Sequence, residues 1–111
     1  MPDRLSLSIH SENGEATVKC TGKLVAGVTD TLAAEVKDLI PKNQRIVLDL
    51  SDLSQMDSMG LGTLVRLLAS ARGAGCKLEL LNVGKRIREL LGITNLLSVF
   101  EVCGEQRIKL P

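Results

Sequence analysis

Three aspartates and a serine fall within one short stretch: Asp49, Asp52, Asp57 and Ser58. Carboxylates at that density can gather around a cation, and a serine beside an aspartate can act as a nucleophile or as a helix cap. The cation reading asks for further donors, and no His or Cys joins the acids. Each acid also has a structural account: Asp49 ends an apolar run, Asp52 sits in a turn, and Asp57 flanks a cap at Ser58. No metal is expected. A Ser–His–Asp triad would need His10, the one histidine, which is far off in sequence, and no G-x-S-x-G surrounds Ser58. His10 reads as a surface residue at a strand end.

Phosphate-binding loops are absent as well. A P-loop at Gly22-Lys23 has Thr17 where the first glycine belongs; one at Gly84-Lys85 has Glu79 there and Arg86 afterwards. Gly60-Leu61-Gly62 runs on to Val65, so the third glycine of a dinucleotide fingerprint is missing. The chain is expected to hold no cofactor and to be no enzyme, the alternative being a small enzyme that uses the acids near Asp57.

The elements that position this stretch can be read from periodicity. Ile46-Val47-Leu48-Asp49-Leu50 is a short apolar run, read as a buried strand. Leu61, Leu64, Val65, Leu68 and Ala71 fall on one face of a helix. The chain should therefore leave a strand, cross a short polar loop and enter a helix at Asp57-Ser58. A side-chain oxygen there can accept from an orphan N–H of the first turn, and the helix dipole favours negative charge at the same spot. Met59, apolar in the first turn beside a polar loop, should be exposed.

Upstream, Leu5, Leu7 and Ile9 alternate with polar residues, as do Ala16, Val18 and Cys20. Asn13-Gly14 between them predicts a hairpin at the sheet edge. Gly22–Gly27 reads as a loop. Thr29 or Asp30 can cap a helix bearing Leu32, Ala33, Val36, Leu39 and Ile40, which Pro41 ends. Gly73 and Gly75 close the long helix, and a strand starts near Cys76. Val83, Ile87, Leu90 and Leu91 form another helical stripe, Thr94 to Ser98 one further turn, and Val99 to Val102 a last strand. The polar tail from Gly104 reads as an edge or loose end.

With 111 residues, one domain over residues 1–111 is expected, and strands separated by helices imply parallel crossovers. The fold class is thus α/β: a mixed, mostly parallel sheet with an N-terminal antiparallel hairpin and helices packed against it. One Phe and no Tyr or Trp leave no stacking platform for nucleic acid, and 14 Lys+Arg against 13 Asp+Glu give no field to draw it. Three cysteines without a C-x-x-C pair imply a reducing compartment. With no membrane-length apolar run and no signal-peptide pattern, the expectation is a soluble, cytoplasmic protein.

The stretch Ile46–Gly62, with Asp49-Leu50 and Asp57-Ser58-Met59-Gly60-Leu61-Gly62, resembles the signature of the STAS domain. Its stand-alone branch comprises bacterial anti-sigma factor antagonists. The flanks Gly22-x-Leu24, Leu80–Val83 and Leu90–Leu96 are similar too. The resemblance implies a partner-switching regulator of transcription. Unphosphorylated, it binds an anti-sigma factor that is also a serine kinase; phosphorylation of Ser58 releases it, and a serine phosphatase resets it. It also implies a partner surface of Asp57, Met59 and Gly60 with Lys23 and Leu24. Two positions depart from the family pattern: Met59 stands where Ser or Thr is usual, and Val25 where the early loop often carries Asp. The alternative is a STAS module of a transport or sensory complex that works without phosphorylation.

Overall fold

The computed structural model describes residues 5–85, 89, 101–103 and 107–109. Strand β1 (Ser6–Glu12) and strand β2 (Glu15–Leu24) form the expected antiparallel hairpin. Asn13 and Gly14 turn it with φ of 53° and 80°. Positive φ at both positions is what a two-residue turn needs to match the strand twist, and Asn-Gly meets it at least cost.

Helix α1 (Thr29–Leu39) follows, then a 3-10 turn over Ile40–Lys42 that contains Pro41. Neither Thr29 nor Asp30 caps α1. The cap position is Val28, and no side chain bonds the first turn. Thr29 is already helical and buried.

Strand β3 (Arg45–Met56) is much longer than its apolar run. The expected polar loop after Leu50 is strand, and so is the expected loop at Gly22–Leu24. The two segments pair in parallel, Thr21 with Asp52 and Leu24 with Met56. Register shifts at Lys19/Thr21 and Gly22/Lys23 let the pairing continue. A Lys19–Asp52 ion pair at 3.2 Å and a Ser54 hydroxyl donating to the Gly22 carbonyl at 3.0 Å bridge the extension. Its polar side chains face solvent, so no apolar alternation marks it as strand.

Helix α2 (Ser58–Gly73) ends in a Schellman closure. Gly75 takes φ 74° and donates to the Arg72 carbonyl, while the Cys76 N–H reaches that of Ala71 at 2.8 Å. Strand β4 (Lys77–Leu81) then pairs in parallel with β3. Beyond it, β5 (Glu101–Cys103) and β6 (Arg107–Lys109) complete a six-stranded sheet in the order β1-β2-β3-β4-β6-β5. The three strands at its centre are parallel, and the antiparallel pairings flank them. The tail, expected as an edge or loose end, supplies β6, which lies between β4 and β5. The helical stripe past Val83, at Ile87, Leu90 and Leu91, and the turn at Thr94–Ser98 lie outside the described residues, as do residues 99 and 100.

Val18, Ile46, Leu48, Leu50, Leu78 and Leu80 form the sheet's share of the core, against which α1 and α2 pack Leu32, Val36, Leu64 and Leu67. Each such side chain contributes roughly 1.5–3 kcal/mol when fully buried, more than a typical helix cap, so α1 can form without one. Cys20 and Cys76 are buried thiols; burial and then the nearby Asp49 carboxylate push the Cys20 thiol up to about 12. On the opposite face Val47 and Glu79, paired in register, are also buried. The Glu79 carboxylate meets the Arg45 guanidinium at 3.5 Å.

Candidate functional site

Asp57 is the hinge between β3 and α2. Its backbone is extended (φ −107°, ψ −174°), its carbonyl accepts the first helical bond from Leu61, and Oδ1 accepts from the Gly60 N–H at 2.9 Å. Asp57, not Ser58, is therefore the cap. Both residues carry a suitable oxygen, but only Asp57 has the extended backbone that aims it at the first turn.

The second oxygen of the same carboxylate has a different task. Oδ2 accepts from the Ala26 N–H at 3.0 Å, and the Asp57 N–H donates to the Leu24 carbonyl at 3.4 Å. One side chain thus fastens the loop after β2 to the start of α2. The Ala26 and Gly60 amides, in that order, hold the Asp57 carboxyl below the usual carboxylate range.

Gly60 sits where the helix meets that loop. A Cβ on it would clash with the Leu24 carbonyl oxygen and lie 2.8 Å from Met56 Cγ. Only glycine allows this approach. Gly62, two residues further on, faces open space.

Ser58 is the first helical residue and is exposed. Met59 is exposed too, at 50%, as the sequence predicts. The remaining expected contacts divide. Lys23 is half-buried beside the site, whereas Leu24 and Gly60 are buried. Both lie beneath the surface that Ser58 and Met59 expose. Further along α2, the Thr63 hydroxyl donates to the Met59 carbonyl at 2.9 Å and accepts from Arg66 Nη2 at 3.3 Å.

The three aspartates do not gather. Asp49 accepts from the Ser51 N–H at 3.0 Å and from Asn82 at 3.2 Å, Asp52 pairs with Lys19, and Asp57 is occupied as described. Partial burial works against ionisation of Asp49. The Ser51 and Asn82 hydrogen bonds and the Lys19 charge overcome it and lower its pKa. Among the described residues no group of three His, Cys, Asp or Glu is placed to hold a metal. His10 lies on β1 with the Glu12 carboxylate 3.6 Å away, both exposed. Ala26 is the site residue that sequence reasoning missed. It acts through its backbone N–H, which no side-chain pattern reveals.

The fold is shared with proteins of known structure. An anti-sigma factor antagonist from Mycobacterium paratuberculosis matches with a TM-score of 0.80 at 18% identity, over 95% of this chain and 90% of that one. The Bacillus cell fate determinant SpoIIAA in its phosphorylated form matches at 0.68 and 18%, over 82% and 85%. A sulfate transporter family protein from Wolinella succinogenes matches at 0.69 and 21%, over 80% and 73%. By sequence, a STAS-domain containing protein of Pseudomonas aeruginosa (strain UCBPP-PA14) is 25% identical over 92 residues, 83% of this chain and 91% of the relative. The sequence model of the STAS domain matches residues 6–107, which span the hairpin, helices α1 and α2 and the Asp57–Gly60 entrance. The chain belongs to the STAS domain family.

Proposed function

We propose that this chain is an anti-sigma factor antagonist that works by partner switching. Unphosphorylated, it binds an anti-sigma factor that is also an ATP-dependent serine kinase. Phosphate on Ser58 ends that binding, and a serine phosphatase restores it. ATP is bound by the kinase; this chain catalyses nothing and works in the cytoplasm without touching nucleic acid or membrane. Membership of the STAS family and the fold shared with anti-sigma factor antagonists support this reading.

The observation that carries it is the exposed Ser58 hydroxyl at the first position of a helix whose preceding residue is locked in place. A kinase can reach such a hydroxyl. The phosphate would add about −1.5 to −2 charge where the dipole tolerates it, so the helix survives. Its effect falls instead on docking. A charged, hydrated group beside the Met59 side chain must be desolvated against a surface that fits a neutral hydroxyl, with the Asp57 charge adjacent. A few kcal/mol of such cost weakens affinity a hundredfold or more.

The test combines intact mass and calorimetry with the cognate kinase. Ser58→Ala should take up no phosphate and bind as the wild type does. Ser58→Asp should stay folded and bind much more weakly, and Met59→Ala should lose ~1 kcal/mol or more of binding. Undiminished phosphate uptake by Ser58→Ala overturns the assignment of the acceptor. Equal affinity for wild type, Ser58→Ala and Ser58→Asp returns the chain to a phosphorylation-independent module, such as the transporter tails that share the fold.

A further inference from the structure

We propose that the chain pairs with a second copy of itself through strand β1, joining the two sheets edge to edge across a two-fold axis at Ile9. This rests on the β1 edge of the sheet and is independent of the Ser58 reading.

An edge strand presents a row of backbone N–H and C=O groups that can pair with another strand, and proteins usually blunt such edges. The two edges here differ. One is β5, only three residues long. The other is β1, seven residues, exposed along almost its whole length. Its sequence, Ser6-Leu7-Ser8-Ile9-His10-Ser11-Glu12, has no Lys, Arg or Pro, and its register with β2 is unbroken by any bulge. Ile9 is exposed at 40%; with Met59 it is one of the two exposed large apolar side chains among the described residues.

The occupant follows from register. In an antiparallel pair, residues directly opposite point to the same face and meet at about 4.5–5.5 Å between Cβ atoms. A two-fold axis at Ile9 uses all seven residues. It sets Ile9 against the partner's Ile9, Ser8 against the partner's His10, Leu7 against the partner's Ser11, and Ser6 against the partner's Glu12. No like charges face each other. The exposed Ile9 side chain is covered by its own symmetry mate, on the face that α1 and α2 cover in each copy. An axis at His10 would oppose two imidazoles instead, and one at Ser8 would leave Ser11 and Glu12 unpaired. A strand that complements itself in one register fits a second copy of this chain better than an unrelated strand.

Sedimentation velocity of the full chain from micromolar to millimolar concentration tests the proposal, with Ile9→Lys and Met59→Lys beside the wild type. The expected result is a mass rising to two chains for wild type and Met59→Lys. Ile9→Lys should remain at one chain with an unchanged circular dichroism melt. In an Ile9→Cys variant, mild oxidation should link two chains through residue 9, located by peptide mass mapping. A wild type that stays at one chain throughout, a two-chain species indifferent to Ile9→Lys, or an Ile9→Cys variant without that cross-link overturns it.

Discussion

Helices α1 and α2 begin in opposite ways. Helix α1 starts after Val28, with no side chain satisfying its first N–H groups, and stays in place by burying Thr29, Leu32, Val36 and Leu39. Helix α2 starts at Asp57, whose carboxylate uses both oxygens and whose N–H is also bonded. The buried face of α2 is at least as apolar as that of α1, so it needs a cap no more than α1 does. The difference teaches that the Asp57 bonds chiefly set position. They fix where the first turn of α2, and with it Ser58, lies relative to the loop after β2.

The sharpest way to break this contrast is at Gly60. Gly60→Ala drives a methyl group into the Leu24 carbonyl and should destabilise the domain by about 1–3 kcal/mol, as overpacking does. Gly62→Ala, facing open space two residues on, should instead stabilise by about 0.5–1 kcal/mol through helix propensity alone. Urea titration of both variants checks the pair; equal losses would show that the Gly60 contact is not what holds the helix entrance.

The next effect is at Asp57. An asparagine offers one acceptor oxygen, so Asp57→Asn can keep the Gly60 cap or the Ala26 bond but not both. The expected outcome is a melting temperature several degrees lower and faster hydrogen exchange at one of those two amides. The pH dependence has a definite sign. The Asp57 pKa in the folded state lies below its ordinary 3.8, so its contribution is complete above the carboxylate range and fades as pH falls through the folded value. The melting gap between wild type and Asp57→Asn should therefore close in acid. A gap that is constant with pH would mean that the charge contributes nothing.

The smallest effect is at the start of α1. Val28→Ser supplies the missing cap but removes an apolar side chain that packs on the core, and the two terms are similar in size. Its stability should change by less than ~0.5 kcal/mol on the same titration, the scale of an ordinary surface substitution. A loss of the size expected at Gly60 would show that α1, too, depends on its first residue.

The sequence exposes those features that periodicity and turn chemistry dictate. Asn13-Gly14, Pro41 and Gly75 each stand where the backbone needs them, and the apolar rows of β2, β3 and α2 are in the right phase. The half of β3 beyond Leu50 was hidden because its polar side chains face water and Leu53 and Met56, which pack on the core, are not in alternation. Its strand character comes from backbone pairing across two register shifts. The choice between Asp57 and Ser58 as cap was undecidable from composition, since neighbouring oxygens compete and only the extended backbone at Asp57 selects one. Glu79 was hidden for a related reason: a charged residue in an apolar strand reads as an outward, solvated position until the Arg45 guanidinium is seen reaching it from the neighbouring β3. The exposure of Met59 could be read from its place in the first helical turn beside a polar segment.

The bond from Ala26 to Asp57 joins residues 31 apart, and the one from Ser54 to Gly22 spans 32. Loops of that length must close before such bonds can form, and non-local pairing of this kind is slow compared with helix formation. Helix α2 can flicker into existence in a nascent chain, but the loop that frames Ser58 takes its place only once β2 and β3 are paired to their far ends. The surface is therefore a late product of folding, and a chain whose central pair is incomplete displays the serine without the frame around it.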